Sequence, residues 1–256
     1  MKLLLPLCVF MAAICSCARN DQTPQQDAVP AHITALVKHA GFSTEGIQKL
    51  PEGYLVEKDL LLTEELLNNM QHQHLVIAQE EHYRTTNLVT GLPRTITVRL
   101  TSGFPATAST ALDNVISAYN SLNLQLRFQR VTTGGQIVIS PTNGIPYLAT
   151  SGFPSGGNPF PTIRITLSSF TQPVNAMSRI MAHEIGHCIG LRHTDFATVT
   201  STCGGVFIPE PAGVGAIYIP GTPTGPEPAS VMMRCINPAI TTLFSPNDRV
   251  ALNYVY

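Results

Sequence analysis

The sequence predicts an α+β protein, and the order of its strand-like and helix-like stretches supports this fold class. Four short stretches rich in β-branched residues are predicted as strands, a helical stretch lies between the first two, and a second helical stretch with a histidine motif follows the last. The 256 residues can form one domain plus a smaller attached segment. The predicted strands cover residues 94–100, 124–131, 136–140 and 162–167.

The helices are predicted from apolar spacing and from end signals. Residues 106–122 carry apolar side chains at helical spacing, namely Leu112, Val115, Ile116 and Tyr119. The histidine-bearing helix is expected to begin near residues 171–173, where a proline is tolerated in the first turn. Its expected core-facing side chains are Met177, Ile180, Met181 and Ile185. A last helix is expected to begin at Ser245, with Pro246 in its first turn and Asp248 at its positive end.

Smaller elements are predicted before residue 93. Residues 31–41 suggest a short amphipathic helix closed by Gly41, and residues 54–62 are predicted to form one strand. Thr63 is placed to cap a following helix. His72 and His74 lie in a polar run and are expected to be solvated rather than to bind metal.

The N-terminus has the features of an export signal. Residues 1–16 contain Lys2 and then an apolar run of signal-peptide length that is too short to span a bilayer. The run ends in a sequence that resembles a bacterial lipobox, so we expect Cys17 to be lipidated and residues 17–30 to form a flexible tether. An ordinary secretory signal cleaved nearby is the alternative. Either route predicts a bacterial protein outside the cytoplasm, as a cell-surface or outer-membrane lipoprotein or in secreted form.

The charge balance argues against two classes of partner. The chain has 15 Lys and Arg against 16 Asp and Glu, and only 12% of its residues are charged. Neither number favours binding to nucleic acid or to an acidic membrane surface. Membrane contact is therefore expected only through the lipid anchor.

The histidine motif of the second long helix reads HExxHxxGxxH. His183 and His187 lie four residues apart, so both imidazoles project from one helix face and can bind one metal ion. Gly190 can adopt a positive φ, which ends the helix and lets His193 turn back as a third ligand. Three imidazoles and one open position are typical of catalytic zinc, with Glu184 placed to polarise a bound water. The alternative is a buried helix whose histidines only form hydrogen bonds.

These motifs resemble those of the metzincin zinc metallopeptidases. The metal motif is followed by a Ser-Val-Met-Met sequence that fits the family's Met-turn, with Met232 as the turn residue. The closest resemblance is to bacterial secreted members with a HEIGH sequence followed by His-Thr-Asp, here ending at Asp195. The resemblance covers roughly residues 93–256 and implies a metzincin-like catalytic domain with a twisted mixed β-sheet over two helices, an active-site helix, the Met-turn and a C-terminal helix. Some members have a Tyr ligand two residues after the Met, but Arg234 stands there, so a Tyr ligand is not supported.

The resemblance implies a Zn²⁺-dependent endopeptidase that acts on protein or peptide substrates, with Glu184 as general base. An edge strand within residues 144–160 is expected to bind substrate as an added antiparallel strand. Asp195 is expected to accept a hydrogen bond from the zinc-site backbone or a ligand histidine, or to cap a turn. We expect a monomer. Two other functions stay open: a catalytically weak cell-surface zinc protein that binds peptides or glycans, and a zinc hydrolase that does not cleave peptides.

Residues 31–92 are expected to form an N-terminal segment or pro-segment before the catalytic domain at 93–256. Such segments often block the zinc with a Cys, Asp or Glu, and either Glu57 or Asp59 could fill the open position.

The remaining cysteines suggest one disulfide in an oxidising compartment. Cys203 and Cys235 flank the long loop that leads into the Met-turn, so we favour their pairing. A Cys188–Cys203 bond is the rival. If Cys203 pairs with Cys235, Cys188 acts as a small buried hydrophobic residue.

Overall fold

The computed structural model describes residues 28–40, 42–70, 82–143, 147–195, 216–223 and 227–256. The expected signal, Cys17 and most of the tether lie outside these ranges, as do Gly41, His72, His74 and Cys203. Among the helices within the described ranges, none has both the length and the apolar character that a membrane span requires.

The N-terminal part is a small unit with its own apolar core. Its elements are α1 (Ala31–His39), β1 (Gln48–Leu50), β2 (Gly53–Val56), β3 (Leu60–Leu62) and α2 (Glu64–Met70). The three strands pair antiparallel in the order β1-β2-β3. Thr63 caps α2 as expected, since its Oγ1 accepts a hydrogen bond of 3.1 Å from the backbone N–H of Leu66. The core of this unit includes Ile33, Val37, Phe42, Val56, Leu62 and Leu67.

The expectation of one strand over residues 54–62 is wrong, because the chain folds there into a β-hairpin. Glu57 and Lys58 form a two-residue turn with φ of 53° and 76°. Positive φ at both central positions is the geometry of a type I′ turn, which matches the twist of the flanking strands. The backbone N–H of Asp59 closes the turn on the carbonyl of Val56 at 3.3 Å. The tip of this hairpin points at the histidine cluster.

The larger part is built on a five-stranded mixed sheet, as the fold class predicts. Its strands have the order β6-β5-β7-β9-β8, and all neighbours are parallel except β8, which pairs antiparallel with β9 at the edge. A two-stranded sheet, β4 with β10, lies apart from it. The strands are β4 (Tyr83–Arg84), β5 (Arg94–Leu100), β6 (Leu126–Val131), β7 (Ile137–Thr142), β8 (Ala149–Thr150), β9 (Thr162–Thr166) and β10 (Ile217–Tyr218).

Two helices pack against this sheet, and a third ends the chain. They are α3 (Ala106–Asn120), α4 (Val174–Cys188) and α5 (Pro246–Val255), with a 3-10 turn at Leu167–Thr171 before α4. Alternating Ile96 and Val98 of β5 are fully buried, as are Leu112 and Val115 of α3, so apolar periodicity of 2 and 3.6 meets in one core. The Tyr119 hydroxyl donates to the carbonyl of Ala182 at 2.9 Å and ties α3 to α4.

Residues 82–92 pack against the histidine-bearing turn of the larger part. The backbone N–H of Thr85 donates to the carbonyl of Gly190 at 2.8 Å, and that of Arg192 donates to the carbonyl of Tyr83, also at 2.8 Å. This short segment therefore supports the active-site turn, although it precedes the boundary expected at residue 93.

Candidate active site

Helix α4 and the turn after it bring the three predicted histidines together. His187 Nε2 lies 2.9 Å from His183 Nε2 and 3.2 Å from His193 Nε2. All three side chains are buried. The one-turn spacing on α4 accounts for the first pair, and the bend at Gly190 accounts for the third.

Gly190 adopts φ of +108°, which confirms the predicted bend. A Cβ at this position would lie 2.7 Å from the backbone oxygen of Asn87 and from a methyl carbon of Leu88. The bend therefore requires glycine for its backbone angle and for the close approach of the 85–88 segment.

Each imidazole is oriented by a hydrogen bond from its other nitrogen. His183 Nδ1 donates to the carbonyl of Val231 and His187 Nδ1 to the carbonyl of Leu191, both at 2.8 Å. His193 Nδ1 donates to Glu57 Oε2 at 3.0 Å. Because these acceptors carry no proton to give, each Nε2 is left with a lone pair that points into the cluster.

A fourth ligand atom comes from the N-terminal hairpin. Asp59 Oδ2 lies 2.9 Å from His193 Nε2 and 3.4 Å from His183 Nε2. These donors all lie within 4.8 Å of one another. Four ligands in a tetrahedron around zinc, each roughly 2.0–2.1 Å from the ion, lie about 3.3 Å apart. Three nitrogen lone pairs at this separation repel one another unless a cation lies between them. The metal that fits this set of imidazole and carboxylate donors is zinc.

The charges around the cluster favour a cation at this point. Burial lowers the pKa of His187 well below its usual range, and the neighbouring histidines lower it further. Burial also lowers the pKa of His193, but the carboxylates of Asp59 and Glu57 outweigh it and raise that pKa to about 9. Burial raises the pKa of Asp59, yet His193 and His183 more than offset this and keep the group ionised.

Glu184 lies beside the cluster with its carboxylate held by one hydroxyl. Ser151 Oγ donates to Glu184 Oε2 at 2.6 Å and lies 3.1 Å from the backbone oxygen of the same residue. Burial raises the pKa of Glu184, the negative charge of Asp59 raises it further, and the hydrogen bond from Ser151 lowers it, so the pKa stays well above its usual range. A carboxylate with a raised pKa next to a metal position is suited to accept a proton.

The turn at Met232 lies directly against the active-site helix. A Cβ on Gly186 would come within 2.5 Å of the Met232 sulfur, so the glycine of the HEIGH sequence makes room for this side chain. The Met232 carbonyl accepts a hydrogen bond of 3.0 Å from the backbone N–H of Thr194. The turn thus contacts the helix on one side and the segment after it on the other.

Asp248 holds this turn in place. Its carboxylate accepts from Ser230 Oγ at 2.6 Å and from the backbone N–H of Val231 at 2.9 Å. It also forms the predicted capping box of α5 with Ser245. Since Val231 is the residue whose carbonyl orients His183, the last helix is connected to the cluster through one carboxylate.

Two further groups brace the same region. Arg179, one turn before His183, is buried and donates to the carbonyls of Ser230 at 3.0 Å and of Thr242. Asp195 Oδ1 accepts from the backbone N–H of Arg234 at 3.3 Å, which is the backbone contact expected for it. The sequence contained no signal for the role of Arg179 or of Ser151, because a single Arg or Ser without a pattern is most often on the surface.

The cysteine expectations are resolved in part. Cys188 is a buried free thiol, which excludes the rival Cys188–Cys203 pairing. Cys235 is disulfide-bonded, but Cys203 lies outside the described residues, so the Cys203–Cys235 bond stays a prediction.

The edge of the sheet next to the cluster is occupied by the N-terminal hairpin. The backbone N–H of Leu61 donates to the carbonyl of Ser151 at 2.6 Å, and that of Ser151 donates to the carbonyl of Asp59 at 3.0 Å. The bridge between Leu60 and Ser151 is parallel. The edge, which includes β8, falls within the expected range 144–160, and the hairpin lies along it as an added strand.

Several solved metallopeptidase structures resemble the chain at low identity. Myroilysin is 18% identical, with 68% of this chain and 96% of that chain covered and a TM-score of 0.46. High choriolytic enzyme 1, a hatching enzyme zinc-protease from the medaka fish Oryzias latipes, is 15% identical over 72% of this chain and 98% of its own, with a TM-score of 0.43. Archaemetzincin from Methanopyrus kandleri is 11% identical over 60% and 87%, with a TM-score of 0.35. At these values the likenesses carry no argument about function.

The family is shown by the sequence itself. No curated protein sequence matches the chain. The profile of the dual-action HEIGH metallo-peptidases matches residues 54–256, which is most of the chain and includes both the hairpin and the histidine cluster. The chain belongs to the dual-action HEIGH metallo-peptidase family and is a zinc metallopeptidase.

Proposed function

We propose that the chain is a zinc endopeptidase in which His183, His187 and His193 hold the metal and Glu184 is the general base. The observation that carries this proposal is the convergence of three oriented Nε2 lone pairs beside a buried carboxylate of raised pKa. Bound zinc supplies a Lewis acid that makes a water nucleophilic near neutral pH. Glu184 takes the proton of the attacking water and passes it to the leaving amine, while Ser151 keeps the carboxylate in position.

We further propose that residues 31–92 include an inhibitory pro-segment. Asp59 takes the position that a substrate carbonyl or a water needs, and the hairpin covers the sheet edge. The hairpin strand runs parallel to this edge, whereas an antiparallel substrate runs the other way. The hairpin therefore presents a side chain rather than a peptide bond to the metal position.

The base assignment is tested by comparing the full chain with Glu184→Gln. The amide oxygen of Gln can still accept from Ser151 Oγ, so the fold and metal content are expected to stay the same. Peptide turnover is expected to fall by about 10²- to 10⁴-fold, because a general base contributes on this order. Casein turnover that a chelator abolishes would separate a peptidase from a zinc protein that only binds peptides, and equal turnover by the variant would contradict the role of Glu184.

Export with a lipid on Cys17 also remains our proposal. It rests on the lipobox-like sequence at residues 14–17. Metabolic labelling with a fatty-acid analogue is expected to mark the full chain and to leave Cys17→Ala unlabelled. Labelling of both would contradict the assignment.

A further inference from the structure

The tip of the hairpin places a second carboxylate beside the cluster, one imidazole ring away from the metal position. Glu57 Oε2 accepts from His193 Nδ1, while His193 Nε2 points to the metal side. Its other oxygen, Oε1, accepts from the backbone N–H of Ser43 at 3.1 Å. The side chain of Glu57 is 1% exposed. A buried carboxylate requires compensating charge, and the structure supplies it from the larger part of the chain.

Two arginines surround the carboxylate of Glu57. Arg192 Nη2 lies 3.7 Å from Oε1, and Arg234 Nη2 lies 3.4 Å from Oε2. One arginine precedes the third histidine and the other lies two residues after Met232, so both belong to the frame of the active site. Burial raises the pKa of Glu57, but Arg234, the hydrogen bond with His193 and Arg192 outweigh it, and the pKa lies far below its usual range. This pocket therefore recognises an ionised carboxylate.

The N-terminal unit supplies everything that fills this pocket. Besides Glu57, the ring of Phe42 packs against Arg192, whose guanidinium carbon lies 4.0 Å from the ring centre. The other acid near the pocket is Asp195, which contacts the backbone N–H of Arg234. Two guanidiniums against one remaining carboxylate leave the pocket positive when the N-terminal unit is removed.

Glu57 cannot remain in the pocket when Asp59 leaves the metal position. The two residues stand on either side of Lys58 in a two-residue turn that is closed by the Asp59–Val56 hydrogen bond. A tight turn of this kind moves as a unit. A substrate that displaces Asp59 therefore finds the arginine pocket open next to its scissile bond.

We propose that Arg192 and Arg234 form a carboxylate-binding subsite, occupied by Glu57 in the full chain and by a carboxylate of the peptide substrate during cleavage. This inference rests on the proposed endopeptidase function and deepens it. A substrate carboxylate at this place would accept the Nδ1–H of His193 as Glu57 does, so it would also orient the third ligand. The carboxylate can come from an Asp or Glu side chain within a residue or two of the scissile bond, or from the end of a short peptide.

The first test measures binding without turnover. In the full-length Glu57→Ala protein, acetate is expected to replace the lost carboxylate and to raise Tm by about 2–4 °C, as a ligand of the folded state does. Acetamide and chloride at equal concentration are the controls for shape and ionic strength. Adding Arg234→Gln should remove the acetate effect, whereas adding Arg130→Gln, an exposed arginine paired with Asp113, should leave it unchanged. Equal shifts with acetate and acetamide would overturn the subsite.

The second test measures selectivity in the zinc-loaded, full-length protein carrying both Glu57→Ala and Asp59→Ala. Matched peptides with Asp or Asn near the scissile bond are expected to differ in kcat/KM by about 10- to 100-fold in favour of Asp, the range for hydrogen bonds to charged groups. Arg234→Gln should bring this ratio close to one, and Arg130→Gln should leave it unchanged. A preference that survives amidation of the peptide C-terminus assigns the subsite to side chains, and one that disappears assigns it to terminal carboxylates.

The two tests fail in distinguishable ways. If none of the peptides is cleaved, the endopeptidase proposal fails, and the acetate measurement still decides the subsite. If peptides are cleaved without an acidic preference, or with one that Arg234→Gln leaves intact, the subsite is wrong and the endopeptidase function stands.

Discussion

Replacing Asp59 with Ala is expected to activate the full chain. The carboxylate of Asp59 lies within 3.4 Å of two histidine nitrogens of the cluster, so it competes with substrate for the same position. The substitution removes that carboxylate and leaves the rest of the hairpin intact. Point substitution is a sharper test than truncation at residue 92, because a truncation would also remove the contacts of Tyr83 and Thr85 with the active-site turn.

The size of the effect follows from what Asp59→Ala removes and what it leaves. The backbone carbonyl of Asp59 keeps its hydrogen bonds from Ser151 N at 3.0 Å and from Thr150 Oγ1 at 2.5 Å, and Glu57 keeps its two arginines. Only one charge-assisted interaction is lost, worth about 1.5–3 kcal/mol. The fraction of molecules with an open cleft, and with it the rate of cleavage, should rise about 10- to 100-fold.

The assay is the cleavage of a quenched fluorescent peptide by zinc-loaded protein, with bound zinc measured in the same samples. Asp59→Asn preserves the shape of the side chain and should activate less than Ala. Asp113→Ala is the matched control, because it removes an exposed acid that pairs with Arg130 far from the cluster. An unchanged or lower rate in Asp59→Ala, at equal zinc content, would refute the inhibitory role of Asp59. A loss of zinc would instead make Asp59 a permanent ligand.

Three further outcomes are expected. Removal of metal by a chelator should abolish cleavage, and added Zn²⁺ should restore it; activity that persists without metal would contradict the zinc mechanism. Glu184→Gln should abolish the activation of Asp59→Ala when the two are combined, and a double variant as active as Asp59→Ala would exclude Glu184 as the base. Gly186→Ala should lower the free energy of unfolding by about 1–3 kcal/mol, because the new methyl group overlaps the Met232 sulfur. Met232→Ala should recover part of that loss in the double variant, as measured by chemical denaturation, and simple additivity would argue against the contact.

Much of the site could be predicted because its residues are close in sequence. The positions of His183 and His187 follow from helical periodicity, and the bend before His193 follows from a glycine that no other residue replaces at φ of +108°. The central strands and helices were predicted within two or three residues for the same reason: apolar periodicity is a local property. The Met-turn was located from resemblance, and its contact with Gly186 supplies the physical reason for that glycine.

The hairpin could not be predicted, because nothing in its turn marks it. Two-residue type I′ turns favour Asn-Gly, whereas this one uses Glu57 and Lys58, both at positive φ. Seen as a sequence, residues 54–62 are an apolar strand interrupted by charge. The sequence offered Glu57 and Asp59 as alternatives for the metal position, but both lie at the site, one on each side of the His193 ring.

The long-range supports were also beyond local reasoning. Arg179 is buried because it caps carbonyls of a loop some fifty residues away, and this can be seen only once the helix and the loop are packed together. His82 was part of a polar run in the sequence, yet it is buried and lies 3.2 Å from Asp248. Such residues contact partners that are distant in sequence, and neither periodicity nor composition carries that information.

Ser151 has two different contacts at once. Its main chain pairs with whatever strand lies along the sheet edge, and its hydroxyl holds the carboxylate of Glu184. A polypeptide that docks along this edge therefore fixes the backbone from which that hydroxyl projects. Occupancy of the cleft and alignment of the proton acceptor are coupled through a single residue, so a well-paired ligand trains the enzyme's own reactive group as it binds.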